Sequence, residues 1–276
     1  MTDRTNDAVS EAVIPLVEET LLVGKRQVAA GRVRIGPKRS PVRTPEQARA
    51  LAQEIERRPG VRLVGAMAYE GHIAGVADVV PGNPLRAGAI RLMQSRSLDE
   101  LGERLPRVLA AIREVCELEL VNCGGTGSLA RSAGLGVATE LTAGSGFYAP
   151  GLFDNYRSLS LTPAAFFCLP VTRRPSEGTA TALGGGYIAS GAPGKDRLPT
   201  IHLPGGLGYD RDEAAGEVQT PLSGAAAAKL RIGDRVYLRH AKAGELCERF
   251  DTLHLVEDDR IVDAVPTYRG AGRTYL

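Results

Sequence analysis

The chain has 276 residues, 43% hydrophobic and 24% charged, with 34 basic against 32 acidic side chains. This balance excludes a disordered chain, and a net charge of +2 spread along the sequence excludes a nucleic-acid footprint. No run reaches the ~18 apolar residues of a membrane helix, and no N-terminal segment has a signal-peptide layout, so the expected protein is cytoplasmic and binds neither membrane nor nucleic acid.

The length allows one large domain or two ordinary ones. Cys116, Cys123, Cys168 and Cys247 are widely spaced and make no CxxC or Cys/His metal pattern, so they are expected to be reduced. Only five of the basic residues are lysine: Lys25, Lys38, Lys195, Lys229 and Lys242.

Residues 1 to about 12 are polar. The stretch "IPLVEETLLVGKRQVAAGRVRI" places two apolar runs around Gly24 and Lys25, which predicts a β-hairpin or strand pair. "TPEQARALAQEIERRPG" predicts a helix, with Thr44 as N-cap, Pro45 at the first helical position, Gln47 closing a capping box and Pro59-Gly60 as the stop.

"VRLVGAMAYEG" reads as a short buried strand, followed by a Gly/Pro loop from about Ile73 to Ala87. Ser97 and Glu100 read as a second capping box, opening a helix over "LDELGERLPRVLAAIREVC" with a kink at Pro106. The strand "LELVN", a glycine loop, the strand "VATEL" and a second glycine turn complete a pattern that predicts a parallel α/β arrangement, barrel or open sheet. Beyond Tyr156, "AAFFCLPVTRR", "TATALGGGYIA", "DRVYLRH" and "DRIVDAVPTY" are short strands between Gly, Pro and Asp, which predicts an antiparallel β domain.

"VNCGGTGS" follows a strand. Its glycines let main-chain N–H groups converge on an anion, and Thr126 and Ser128 can add hydroxyl donors. The same chemistry serves a tight strand-to-loop turn equally well. Gly144-Ser145-Gly146 at the end of the next strand tips the balance, because two adjacent glycine loops after late barrel strands commonly form a joint phosphate site.

"AMAYEGH" places Tyr69, Glu70 and His72 at the end of another strand. Tyr69 either faces a ring or packs beneath the loop, and His72 is read as a loop histidine with its own partners. In "LRHAKAGELCERF", His240 and Lys242 would share one face of a strand, and a protonated lysine is a poor metal ligand. Glu245 and Cys247 match no standard metal spacing. "ALGGGY" and "GEVQTPL" read as structural turns.

Taken together, "RIGPKRSPVRTPEQA", "GVRLVGAMAYEGHIAG", "ELVNCGGTGSL", "TELTAGSGFYAPGLFDNYR", "LGGGYIASG", "GEVQTPL", "LRIGDRVYLRHAKAGELCERFDTLHLV" and "VPTYRGAGR" resemble the bacterial amino acid deaminase/aldolase proteins. These belong to the D-threonine aldolase and D-serine dehydratase family, pyridoxal-phosphate enzymes of the alanine-racemase fold type. The resemblance covers roughly residues 34 to 276 and implies an α/β fold: an incomplete TIM-like barrel followed by a C-terminal antiparallel β domain, with divisions at 1–34, 35–157 and 158–276.

It also implies pyridoxal phosphate as cofactor, with Gly124, Gly125, Thr126, Gly127, Ser128, Gly144 and Ser145 around its phosphate, and Tyr69 and Tyr148 among its contacts. His240 falls at the base or metal-ligand position. Lys242 stands where the family has an acid or cysteine, which argues against a divalent metal. The implied substrate is a D-amino acid carrying a β-hydroxyl, and the implied assembly a homodimer.

The family's Schiff-base lysine lies on the order of a hundred residues ahead of where the match begins, by the spacing of several βα units. The expectation is a truncated, impaired lyase, or else a remnant that binds the cofactor weakly or not at all. Residues from about 12 to 34 instead resemble the start of a bacterial stress-associated domain of unknown function, so a chimaeric or truncated chain is expected, with a stress-associated protein as the last-ranked alternative function. Neither Lys25 nor Lys38 stands in the family's lysine context.

Overall fold

The computed structural model describes residues 29–35, 40, 42–192 and 194–273, with the backbone alone for 29–35 and for residue 72. In the first half the elements are β1 (Ala29–Ile35), α1 (Pro45–Glu56), β2 (Val61–Ala68), α2 (Gly71–Ala74), α3 (Pro84–Arg113), β3 (Leu120–Cys123), α4 (Leu129–Gly134) and β4 (Glu140–Leu141). The four strands form one sheet in the order β1-β2-β3-β4, and each pairing is parallel. Strands that follow one another in sequence and space put all their C-terminal ends on one edge. The segments after β2, β3 and β4 are therefore neighbours.

Helix α1 starts where its local chemistry specifies. Thr44 accepts the Gln47 N–H at 3.3 Å, the Gln47 side chain accepts the Thr44 N–H at 3.2 Å, and Pro45 opens the helix. Helix α3 departs from the sequence expectation. It runs unbroken from Pro84 and contains both Ser97 and Pro106, so Ser97 and Glu100 do not open a helix.

The reason is a stronger start upstream. Asn83 caps the Arg86 N–H at 3.0 Å and Pro84 occupies the first turn, so Ser97 lies mid-helix and its amide has an intrahelical partner available. Leu101, Leu105, Val108, Leu109 and Ile112 recur at helical spacing and are buried. With Ala48, Ala52, Leu63, Val121 and Cys123 they form the core beneath the sheet.

The predicted hairpin falls on residues mostly outside those described. Its second arm is β1, which pairs parallel to β2. Lys25 and Lys38 also lie outside the described residues.

In the second half come β5 (Phe167–Ser176), β6 (Thr179–Leu183), β7 (Thr200–Leu203), β8 (Gly208–Tyr209), β9 (Gln219–Ser223), β10 (Arg235–Arg239), α5 (Ala243–Arg249), β11 (Thr252–Glu257) and β12 (Arg260–Pro266). Six strands make a sheet in the order β7-β10-β5-β6-β9-β8, antiparallel throughout, and β11 and β12 form a separate two-stranded ribbon. The Tyr209 hydroxyl donates to Pro199 O at 2.8 Å, drawing the β8 edge towards β7, so the sheet forms a nearly closed barrel. Strand β5 alternates buried Phe167, Leu169 and Val171 with exposed Cys168 and Pro170, the period-2 pattern of a half-buried strand. These residues, with Leu222, Val236, Leu238 and Leu246, make a second core.

Candidate functional site

Beyond β3 the chain turns at Gly124, whose φ of +87° suits glycine, and enters a 3-10 turn over Thr126–Ser128. Gly127 is glycine for space, since a Cβ there would stand 2.5 Å from the Tyr156 ring and run into Ala74 O. The Tyr69 ring lies against Gly125, so Tyr69 packs beside the loop after β3.

Beyond β4 a second 3-10 turn covers Gly144–Tyr148. The two loops are joined: Gly146 N–H donates to Thr126 Oγ1 at 3.1 Å, and Thr126 Oγ1 donates to Ala143 O. Asn122, buried on β3, donates to Glu140 at 2.5 Å and to Thr142 at 2.7 Å, fixing the strands beneath. The structure thus brings Tyr69, Gly124, Gly125, Thr126, Gly127, Ser128, Gly144 and Ser145 to one edge of the sheet.

The Thr126 and Ser128 hydroxyls, however, are turned to partners within the protein. Ser128 Oγ donates to Glu70 at 3.1 Å and accepts the Gly125 N–H at 3.2 Å, while Thr126 is engaged as above. The donors expected for an anion at Thr126 and Ser128 are bonded within the protein, which leaves the main chain as the source of N–H groups.

The segment after Tyr148 continues to the barrel. Gly151 N–H donates to His240 O at 3.0 Å and Leu152 N–H to Ala241 O at 3.3 Å. Arg239, at the end of β10 and 6% exposed, forks onto Asp154 at 2.7 and 3.0 Å and onto Ala149 O at 2.8 Å. This clamp brings Tyr148 edge-on to His240, with ring centroids 6.2 Å apart.

His240 is completely buried, and neither ring nitrogen has a hydrogen-bond partner. Burial lowers its pKa to about 4; the Ala165 main chain, near but outside hydrogen-bonding geometry, works against this, and the Arg239 charge works with it. His240 lies just past the end of β10, so the strand alternation expected to pair it with Lys242 does not apply. Lys242 instead precedes α5, and its ammonium donates to Ser190 O at 2.8 Å.

Glu245 Oε1 accepts the N–H groups of Ala241 and Lys242 at 2.7 and 2.8 Å, and its Oε2 is buried without a partner. Burial raises the Glu245 carboxyl. The Tyr148 hydroxyl meets the Cys247 thiol, and both groups are raised, by burial first. Among the described residues no three His, Cys, Asp or Glu side chains stand together as a metal site.

Sequence reasoning named Glu70 only by position and missed Ser132, Asp154 and Arg239. Ser132 follows Ser128 by four residues, a helical spacing that could have flagged it. The contacts of Arg239 and Asp154 leave no local trace.

This architecture defines the class of fold: a mixed α/β protein whose parallel sheet is followed by a nearly closed antiparallel barrel. Searched against family models, the chain matches none, and no curated protein matches it. Solved structures share the fold. A D-threonine aldolase from Filomicrobium marinum is 22% identical with a TM-score of 0.68, over 87% of this chain and 63% of that one. A D-threo-3-hydroxyaspartate dehydratase from Delftia sp. HT23 is 16% identical with a TM-score of 0.56, over 86% and 65%. An alanine racemase-like protein from Idiomarina loihiensis is 12% identical with a TM-score of 0.55, over 79% and 59%. The chain spans less than two thirds of the length of each. No helix among the described residues is long and apolar enough to cross a membrane.

Proposed function

We propose that this chain is a pyridoxal-phosphate lyase of the aldolase/deaminase kind, acting on D-amino acids with a β-hydroxyl, with impaired turnover. The observation that carries the reading is the joining of two glycine loops at one sheet edge by Thr126, in a fold shared with a D-threonine aldolase and a D-threo-3-hydroxyaspartate dehydratase. When bound, pyridoxal phosphate supplies the electron sink for breaking the Cα–Cβ bond or for losing the β-hydroxyl.

The protein's share is positioning. Main-chain N–H groups of the loops after β3 and β4 would hold the phosphate, and Tyr69 beside Gly125 would flank the ring. His240, neutral at physiological pH, carries a proton on one ring nitrogen and can accept one at the other. Tyr148, which ends the second loop and meets His240 edge-on, would be a cofactor contact. The division of the chain at 157/158 and a homodimer form part of this reading.

Impairment follows from lysine. Lys242, the one nearest His240 in sequence, is held at Ser190, and Lys25 and Lys38 do not stand in the context expected of a cofactor-linking lysine.

The test is to mix the full chain with pyridoxal phosphate, follow its absorbance, reduce with borohydride, and map the modified peptides. Saturable binding that Thr126→Val weakens, with little lysine labelling and slow D-threonine or D-serine turnover, is expected. Absence of both binding and turnover would leave a non-catalytic remnant and defeat the proposal. Stoichiometric labelling of a single lysine with fast turnover would keep the lyase and overturn its impairment.

A further inference from the structure

The Glu70 carboxylate is 3% exposed and takes two hydroxyl protons. Ser132 Oγ donates to it at 2.5 Å and Ser128 Oγ at 3.1 Å. Each serine has one other acceptor, Gly125 O for Ser128 and Ser128 Oγ for Ser132, both at 3.4 Å. A shorter bond to a charged acceptor wins over a longer one to a neutral oxygen. An ionised carboxylate can only accept, so both protons point at Glu70.

Ser128 is left with lone pairs, one of them taken by the Gly125 N–H at 3.2 Å. Among the described residues no cation pairs with Glu70. The neighbouring Arg131 on α4 donates to Gln94 at 3.4 Å, and Cys123 at the end of β3 is pushed up to about 11, by burial first and by the Glu70 charge second.

Resting on the reading of the two glycine loops as an anion seat, we propose that Glu70 is the residue that sets the seat's charge preference. It withdraws the Ser128 hydroxyl as a donor and places a carboxylate one side chain behind the loop. The seat therefore takes a singly charged phosphate ester better than a doubly charged one. Nothing in the local sequence shows this, because Glu70 and Ser128 are brought together across 58 residues.

The experiment titrates the full chain calorimetrically with phenyl phosphate, whose second proton leaves near pH 6, at about pH 5.3 and about pH 7.5. Sulfate, doubly charged at both, reports any change in the protein's own charge. Relative to sulfate, the ester is expected to bind several-fold tighter at the lower pH. In Glu70→Gln the amide N–H can donate to Ser128 Oγ, freeing its proton for the ligand. That variant should bind the ester several-fold tighter than the parent at about pH 7.5 and lose the pH preference.

A purely structural role predicts the reverse, a loss of binding in Glu70→Gln. Ester binding without the pH preference, or a folded Glu70→Gln no tighter than the parent, overturns the role of Glu70 and leaves the seat standing. Absence of the pH preference in the parent overturns the role of Glu70 even if the variant does not fold. No binding of ester by the parent at either pH overturns the anion seat, and this inference with it.

Discussion

Thr126 Oγ1 accepts the main-chain N–H of Gly146 at 3.1 Å while donating to Ala143 O, so one hydroxyl closes the gap between the loops after β3 and β4. Two segments 20 residues apart in sequence become a single surface through it. Thr126→Val keeps the shape and removes both bonds. It should cost about 1 kcal/mol and lower the melting temperature by about 2–4 °C, read by calorimetry. Ser145→Ala, at the residue before Gly146, should leave the melting temperature within about 1 °C.

Core position, more than side-chain type, should decide the cost of leucine truncation along α3. Leu109 is fully buried and Leu92 is 55% exposed on the same helix. Leu109→Ala is expected to cost about 2–5 kcal/mol and Leu92→Ala under about 0.5 kcal/mol, measured by urea unfolding. Equal costs would mean that α3 does not bury the face described.

His240 makes stability pH-dependent with a definite sign. Its folded pKa of about 4 lies below the unfolded 6.5, so the unfolded chain binds more protons between those values. Stability is full above pH ~6.5 and falls as the pH drops towards about 4, by roughly 3 kcal/mol from this group alone. Urea midpoints at pH 7 and 4.5 test it, and His240→Phe should flatten that part of the slope. A slope unchanged in the variant would assign the effect to other groups.

The Arg239–Asp154 clamp holds the turn of Tyr148 against the barrel. Asp154 is half exposed while Arg239 is buried, so losing the aspartate strands a guanidinium inside. Asp154→Asn is expected to cost about 1–3 kcal/mol, and Arg239→Met in the same chain should recover part of it. A double-mutant cycle showing no coupling would remove the clamp from the account.

The elements legible in the residues alone are those written within a turn or two of chain. The Thr44–Gln47 box, Pro45, the alternation of β5 and the glycine loops rest on contacts between residues three or four apart or on single-residue backbone geometry. The two-part order, a parallel α/β half before an antiparallel β half, followed from the same local patterns.

Whereas α3 starts at Asn83-Pro84 through a local cap that outweighs Ser97, tertiary structure alone decided the parallel pairing of β1 with β2. It also decided the site's polarity. Glu70 meets Ser128 and Ser132 over 58 and 62 residues, and Arg239 meets Asp154 over 85. The Ser128 hydroxyl, read as a donor to a ligand, became a donor to a buried carboxylate and the Thr126 hydroxyl a donor to Ala143 O, because polar groups sealed from water bond to the nearest acceptors that folding brings to them.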